Sequence, residues 1–262
     1  MFFFPSMKAF SLIFLSTQYA LHILVIRYSK VRVNSHFSTS SVIVLSELLK
    51  TLIALSLAVR QYGAHNVLRT LKNDPLDTLK IGIPSFLYVV QNYLLYSAIT
   101  ELDAPTYQVT YQLKLITTAL FSMLLLGRNQ SPSRWMSLFI LFVGISFVQA
   151  SNLSATVPGR NSLIGFIYVF IASLTSGFSA VYFEKVLKSS SKSLWVRSAE
   201  LSFFGSIIAL ISQIYSEPAL LLSSGFFHDF DWLVWCLVIL QTAGGILVAV
   251  VVKYADNVLK VS

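Results

Sequence analysis

The sequence predicts an all-α fold, a polytopic membrane helix bundle, and three observations carry that expectation. Of the 262 residues, 55% are hydrophobic and only 11% charged, with a mean hydropathy of +0.72; a soluble domain carries about 25% charged residues. Apolar runs near the ~20 residues that a ~30 Å hydrocarbon core requires recur along the whole chain. Lys and Arg gather at the ends of those runs, in the pattern that sets membrane orientation. The net charge of +8 is therefore topological, and no nucleic-acid partner is expected. The single cysteine, Cys236, excludes an intrachain disulfide. His22, His36, His65 and His228 are scattered, with no HExxH-like pair, so no metal and no cofactor is expected.

Eight spans are expected, at about 8–27, 38–59, 80–100, 105–127, 134–151, 162–184, 195–215 and 232–253. The first follows only Lys8 and has no small-residue cleavage site, so it serves as its own insertion signal. Pro75, Pro105, Pro132, Pro158 and Pro218 fall at or near the breaks, where proline starts or stops helices. Pro84 lies inside the third span and is expected to kink it. Alternating the spans puts Lys8, the basic 60–80 and 185–197 loops, Arg128 and Arg134 on one side. The other side receives only Arg27, Lys30, Arg32 and Arg160. The N-terminus is therefore expected to be cytosolic. That orientation leaves the Asn152 sequon open to glycosylation and the Asn129 sequon closed to it.

The fourth span is apolar enough to cross a bilayer, yet it carries a lysine, two glutamines and two tyrosines. On a continuous helix Tyr107, Tyr111, Lys114 and Thr118 share one face. An ammonium at membrane depth costs about 2.5–3.5 kcal/mol by insertion scales. One account is a buried carboxylate partner, for which Glu47 is the best candidate. The other is a fixed cation for the phosphate of an anionic solute in a water-filled cavity, with tyrosines supplying stacking faces and hydroxyls. In the second span Glu47 and Lys50 stand at i, i+3, either as a self-neutralising pair or as a gate or solute contact. In the third, Tyr88, Asn92 and Tyr96 form a stripe beside Gln91, suited equally to gluing helices and to reading a base edge. Ser173, Ser176, Gly177 and Ala180 in the sixth span, and Gly244 and Gly245 in the eighth, read first as close-packing positions. No Ser/His/Asp arrangement, carboxylate dyad or phosphate-cradling glycine loop is present, so an enzyme is not expected.

The strings YQVTYQLK at 107–114, GFSAVYFEKVLK at 177–188, SLWVR at 193–197 and VVVKYADN at 250–257 resemble the Golgi nucleotide-sugar transporters, in the branch that handles UDP-galactose, UDP-N-acetylglucosamine and CMP-sialic acid. The similarity runs from about Met7 to Lys260. It implies membership of the drug/metabolite transporter superfamily, whose ten helices form two inverted five-helix repeats. On that pattern the chain is one transporter-like domain, 1–262, with a first repeat at about 8–151 and a second at about 162–262. The resemblance implies an antiporter in the Golgi membrane, exchanging a cytosolic nucleotide sugar for a luminal nucleoside monophosphate. The two repeats would rock around a midplane site. It also implies that Tyr107 and Lys114 contact the nucleotide and phosphate and that Tyr88 and Asn92 lie on the base side; Tyr111, on the Lys114 face by spacing, is a further substrate-binding candidate. Gly244 and Gly245 would line the cavity, Glu47 and Lys50 would form its acidic–basic pair, and Lys260 would be a second phosphate-side lysine. The chain departs from the family where Ser198, Ala199 and Glu200 replace the usual Asn-Ile-Gln, and it ends at Ser262 where the family continues for two more helices.

The expected function is thus exchange of a UDP-sugar, UDP-galactose or UDP-N-acetylglucosamine, without cofactor. The alternative is a shortened, non-transporting partner of a full-length transporter or a glycosyltransferase. The lipid bilayer is a partner under both readings, and a homo-oligomer or glycosyltransferase complex is the further partner class that the resemblance leaves open.

Overall fold

The computed structural model describes residues 4–31, 37–73, 75–154, 161–189 and 192–259, with side chains placed within 13–250. Among the described residues the chain is all helical. α1 (Phe4–Val31), α2 (Thr39–Tyr62), α5 (Gly82–Glu101), α8 (Pro132–Ser154), α9 (Ser162–Ser189), α10 (Leu194–Ser216) and α12 (Trp232–Leu259) occupy seven of the expected spans. The remaining span is divided into α6 (Ala104–Thr110) and α7 (Leu113–Leu126). The short helices α3 (Ala64–Asn73), α4 (Pro75–Lys80) and α11 (Pro218–Ser223) lie in segments expected to be loops.

Six stretches are long and apolar enough among the described residues to cross a membrane: α2, α6 with α7, the first twenty residues of α8, α9, α10 and the first nineteen of α12. All eight expected spans are occupied by helix, and these six meet the criterion of length and apolarity on the described residues. α5 falls outside the six because Gln91, Asn92 and three tyrosines interrupt its apolar run. The described side chains of α1 end in Arg27 and Lys30.

Polar caps explain where the helices start. Ser38 Oγ accepts from Ser41 N, Asp103 Oδ2 from Thr106 N, Asn161 Oδ1 from Leu163 N and Ile164 N, Ser193 Oγ from Val196 N, and Asp231 Oδ1 from Val234 N. Each satisfies an amide that the first turn leaves without an intrahelical acceptor. Pro84 does not sit mid-helix. It is the third residue of α5, in the turn whose amides need no partner, so it starts the helix rather than kinking it.

The chain forms two compact units, one of 1–75 with 192–262 and one of 76–191. In the first, α2 packs on α10, and α12 packs on both α1 and α2. In the second, α5 and α7 pack on α9, and α6 packs on α8. Small residues permit these approaches. A Cβ at Gly177 of α9 would lie 2.8 Å from Thr118 N, and one at Gly165 would lie 2.7 Å from Leu102 Cγ. Ser173 O of α9 also accepts from Thr117 Oγ1 at 2.7 Å. The small-residue face of the sixth span is thus the seam between α7 and α9, as its spacing suggests. Outward-facing side chains are apolar: Met136, Phe139, Ile140, Phe142 and Phe147 of α8 are all more than half exposed, the arrangement of a helix that faces lipid.

Candidate functional site

In the unit of residues 76–191 the polar residues of α5, α6–α7 and α9 converge on one tyrosine. Residues 111 and 112 break the regular helix between α6 and α7. Gln112 N bonds Val109 O at 3.1 Å, Lys114 N bonds Tyr111 O at 3.1 Å, and Leu115 N bonds Gln112 O at 2.9 Å. These i→i+3 bonds tighten the turn. The continuous helix expected over 105–127 is corrected here to two helices, and Tyr107, Tyr111 and Lys114 remain neighbours across the break.

The result is that Lys114 Nζ sits over the Tyr111 ring, 4.4 Å from its centroid, within the range where a ring face attracts a cation. The Tyr107 and Tyr111 rings stack with centroids 6.1 Å apart and an interplanar angle of 23°, and both side chains are buried. The Tyr111 hydroxyl is fixed from two helices. Gln91 Nε2 of α5 donates to it at 2.8 Å, and it donates to Ser176 Oγ of α9 at 3.3 Å. The remaining amide atom, Gln91 Oε1, is buried without a hydrogen-bond partner among the described residues. Below the junction, Thr118 Oγ1 and Thr117 Oγ1 both donate to Lys114 O, at 2.6 and 3.1 Å. Thr118 therefore braces the backbone that carries Lys114. Tyr88 and Asn92 stand half-buried on α5, one on each side of Gln91, while Tyr96 is buried.

The unit of residues 1–75 and 192–262 gathers a second set. Lys50 Nζ donates to Glu47 Oε1 at 2.6 Å across one turn of α2. A Cβ at Gly205 would meet the Glu47 carboxylate at 3.1 Å, and one at Gly245 would meet Lys50 Cδ at 2.6 Å. A Cβ at Gly244 would lie 2.9 Å from the Gln18 amide. Both glycines of α12 thus bring that helix against α1 and α2. Lys260 lies outside the described residues, and so does the Asn152 side chain.

Sequence reasoning missed a buried ion cluster on α10. Glu200 Oε1 accepts from Lys192 Nζ and Glu200 Oε2 from Arg197 Nη1, each at 2.8 Å, and all three side chains are less than a tenth exposed. The i, i+3 spacing of Arg197 and Glu200 was visible in the sequence. Lys192, on the connection before α10, was not assignable to that pair. Among the described residues no group of His, Cys, Asp and Glu is placed to hold a metal ion.

Comparison with known proteins shows the family of the chain. A profile described as nucleotide-sugar transporter matches residues 5–262. The UDP-N-acetylglucosamine transporter of Rattus norvegicus is 40% identical over 270 residues, covering 97% of this chain and 82% of that protein. The UDP-galactose translocator of Mus musculus is 43% identical over 263 residues, covering 97% and 67%. The UDP-N-acetylglucosamine transporter of Homo sapiens is 40% identical over 269 residues, covering 98% and 83%.

Proposed function

The chain belongs to the nucleotide-sugar transporter family, and on that premise we propose that it exchanges a UDP-sugar for a nucleoside monophosphate across the Golgi membrane. The carrying observation is the Lys114 ammonium held 4.4 Å over the Tyr111 ring in a membrane-spanning stretch. A ring face attracts a cation through its quadrupole and holds the ammonium in place. Such a cation is suited to a diphosphate, which needs a positive partner in a medium of low dielectric.

In this reading Lys114 neutralises the diphosphate, with Lys260 as a second cation. The ring of Tyr107 and the amide of Asn92 hold the nucleoside, and Tyr88 lies on the base side. The relatives' names, which specify UDP-N-acetylglucosamine and UDP-galactose, support a uridine nucleotide. Within each compact unit, helices from the first and second halves of the chain pair, α2 with α10 and α1 with α12 in one and α5 with α9 in the other, which supports two repeats that interleave. The basic loops support a cytosolic N-terminus.

The test is uptake of labelled UDP- and CMP-sugars into proteoliposomes preloaded with UMP or CMP. Lys114→Ala is expected to weaken exchange by about 2–4 kcal/mol, roughly 30- to 1000-fold, while membrane insertion is kept. Unchanged exchange in a correctly inserted Lys114→Ala protein rules out the phosphate role.

A further inference from the structure

The helix α3 follows α2 with a single residue between them. Gly63 has φ +82° and ψ 145°, a conformation that side chains resist. Its amide closes α2 on Val59 O at 2.8 Å, and its carbonyl accepts from Val67 N at 3.2 Å to open α3. The chain therefore leaves the axis of α2 abruptly at that point. α3 is then tied down on one side only. Val67, 1% exposed, and the partly buried Leu71 pack with Ala58 of α2 and with Trp195 and Val196 at the start of α10. This anchor sits where α2 ends and α10 begins, at one end of two membrane-spanning helices.

At about 100° per residue, the side chains around α3 fall into sectors. Ala64 and Leu68, the latter 57% exposed, follow on the anchored Val67–Leu71 edge. Lys72, His65 and Arg69 come next, all exposed, and Asn66 and Thr70 complete the circle. The helix contains no acidic residue, and Arg60 lies in the last turn of α2 immediately before it. The order is protein, lipid chain, basic headgroup contact, water, which is the order met by a helix lying in the plane of a membrane interface.

We infer that α3 is an interfacial helix that binds anionic phospholipid, with Leu68 entering the acyl boundary and Arg69, Lys72 and Arg60 engaging the phosphate-bearing headgroups. Charge complementarity selects the occupant. A neutral headgroup gives these cations no return for desolvation, whereas each basic residue near an anionic surface gains about fivefold in binding. Lipid bound there braces the ends of α2 and α10 against each other through Val67 and Trp195.

The experiment uses the full chain in two kinds of nanodisc and reads amide hydrogen exchange over 64–73. One disc is phosphatidylcholine alone; in the other about a third of the lipid is phosphatidylserine. Exchange is expected to be slower in the anionic disc by about fivefold or more, and high salt is expected to erase the difference, because exposed charges are screened. Arg69→Gln with Lys72→Gln is expected to exchange alike in both discs, and like the natural chain in phosphatidylcholine, since Val67 and Leu71 are untouched. Equal exchange of the natural chain in the two discs overturns the inference. So does slowing that survives high salt or the double substitution. Slowing reproduced in phosphatidylcholine discs by inorganic phosphate or UMP reassigns the patch to a soluble anion. No arm reads transport, so failure here leaves the proposed exchange reaction standing, and failure of that reaction leaves the lipid site standing.

Discussion

The two compact units treat buried cations differently. In the unit of residues 1–75 and 192–262, carboxylates hold them: Glu47 takes Lys50 at 2.6 Å, and Glu200 takes both Lys192 and Arg197 at 2.8 Å. In the unit of residues 76–191, an aromatic ring lies under Lys114 at 4.4 Å. A carboxylate offsets the expense of burying an ammonium by cancelling its charge, and the pair then has little to offer a third group. A ring attracts a cation through its quadrupole instead. Under the proposed function the contrast separates carboxylate-held cations from the one placed to meet an anion, and substitutions on each side of it should fail in different assays.

The largest effect is expected at Glu200. Replacing it by Gln leaves Lys192 and Arg197 buried without the carboxylate that joins them, and breaking such a cluster costs about 3–5 kcal/mol. Thermal unfolding in detergent should show that loss, with less folded protein recovered. A chain of normal stability that has lost only nucleotide affinity would move Glu200 to the solute side of the contrast.

Glu47 and Lys50 should respond less, because the Lys50 side chain is 17% exposed and reaches some water. Glu47→Gln is expected to lower stability by about 1–2 kcal/mol. The exchanged pair, Glu47→Lys with Lys50→Glu, sharpens the reading. A neutralising pair works in either direction, so stability and exchange should both recover with the swap. Recovered stability without recovered exchange would identify the pair as a gate or solute contact, the other role its spacing allows.

Much of this contrast was legible before folding. Glu47 and Lys50 are one turn apart in an apolar run, and their bond requires nothing beyond that helix. The long helices were legible for the same reason, since twenty apolar residues and a polar cap are local signals. Three features were not. The tightened turn at Tyr111 and Gln112 carries no Gly or Pro to mark it, and its i→i+3 bonds emerge from packing on α9. α11 is too short and α3 too polar to stand out among loop residues, and α3 owes its place to Val67 meeting Trp195, far away in sequence. The Gln91–Tyr111–Ser176 chain joins three helices. Gln91 reads in the sequence as a neighbour of the Tyr88–Asn92–Tyr96 stripe and Ser176 as part of a packing face, and only the fold shows that both converge on one hydroxyl.

The smallest effects test whether the ring itself matters. Tyr111→Phe keeps the face under Lys114 but removes the hydroxyl that accepts from Gln91 and donates to Ser176. Losing those bonds should weaken nucleotide binding by about 1 kcal/mol, near fivefold, through a less well fixed ring. Tyr111→Leu removes the face as well and should add about 0.5–2 kcal/mol. The decisive quantity is the coupling between Tyr111→Leu and Lys114→Ala, read as binding of UMP to the purified protein. If the ring acts by holding the ammonium where phosphate arrives, the second substitution should add little once the first is made, leaving a coupling of about 0.5–2 kcal/mol. Strict additivity would mean that Tyr111 and Lys114 serve the nucleotide separately, and that the ring supports the helix junction rather than the charge above it.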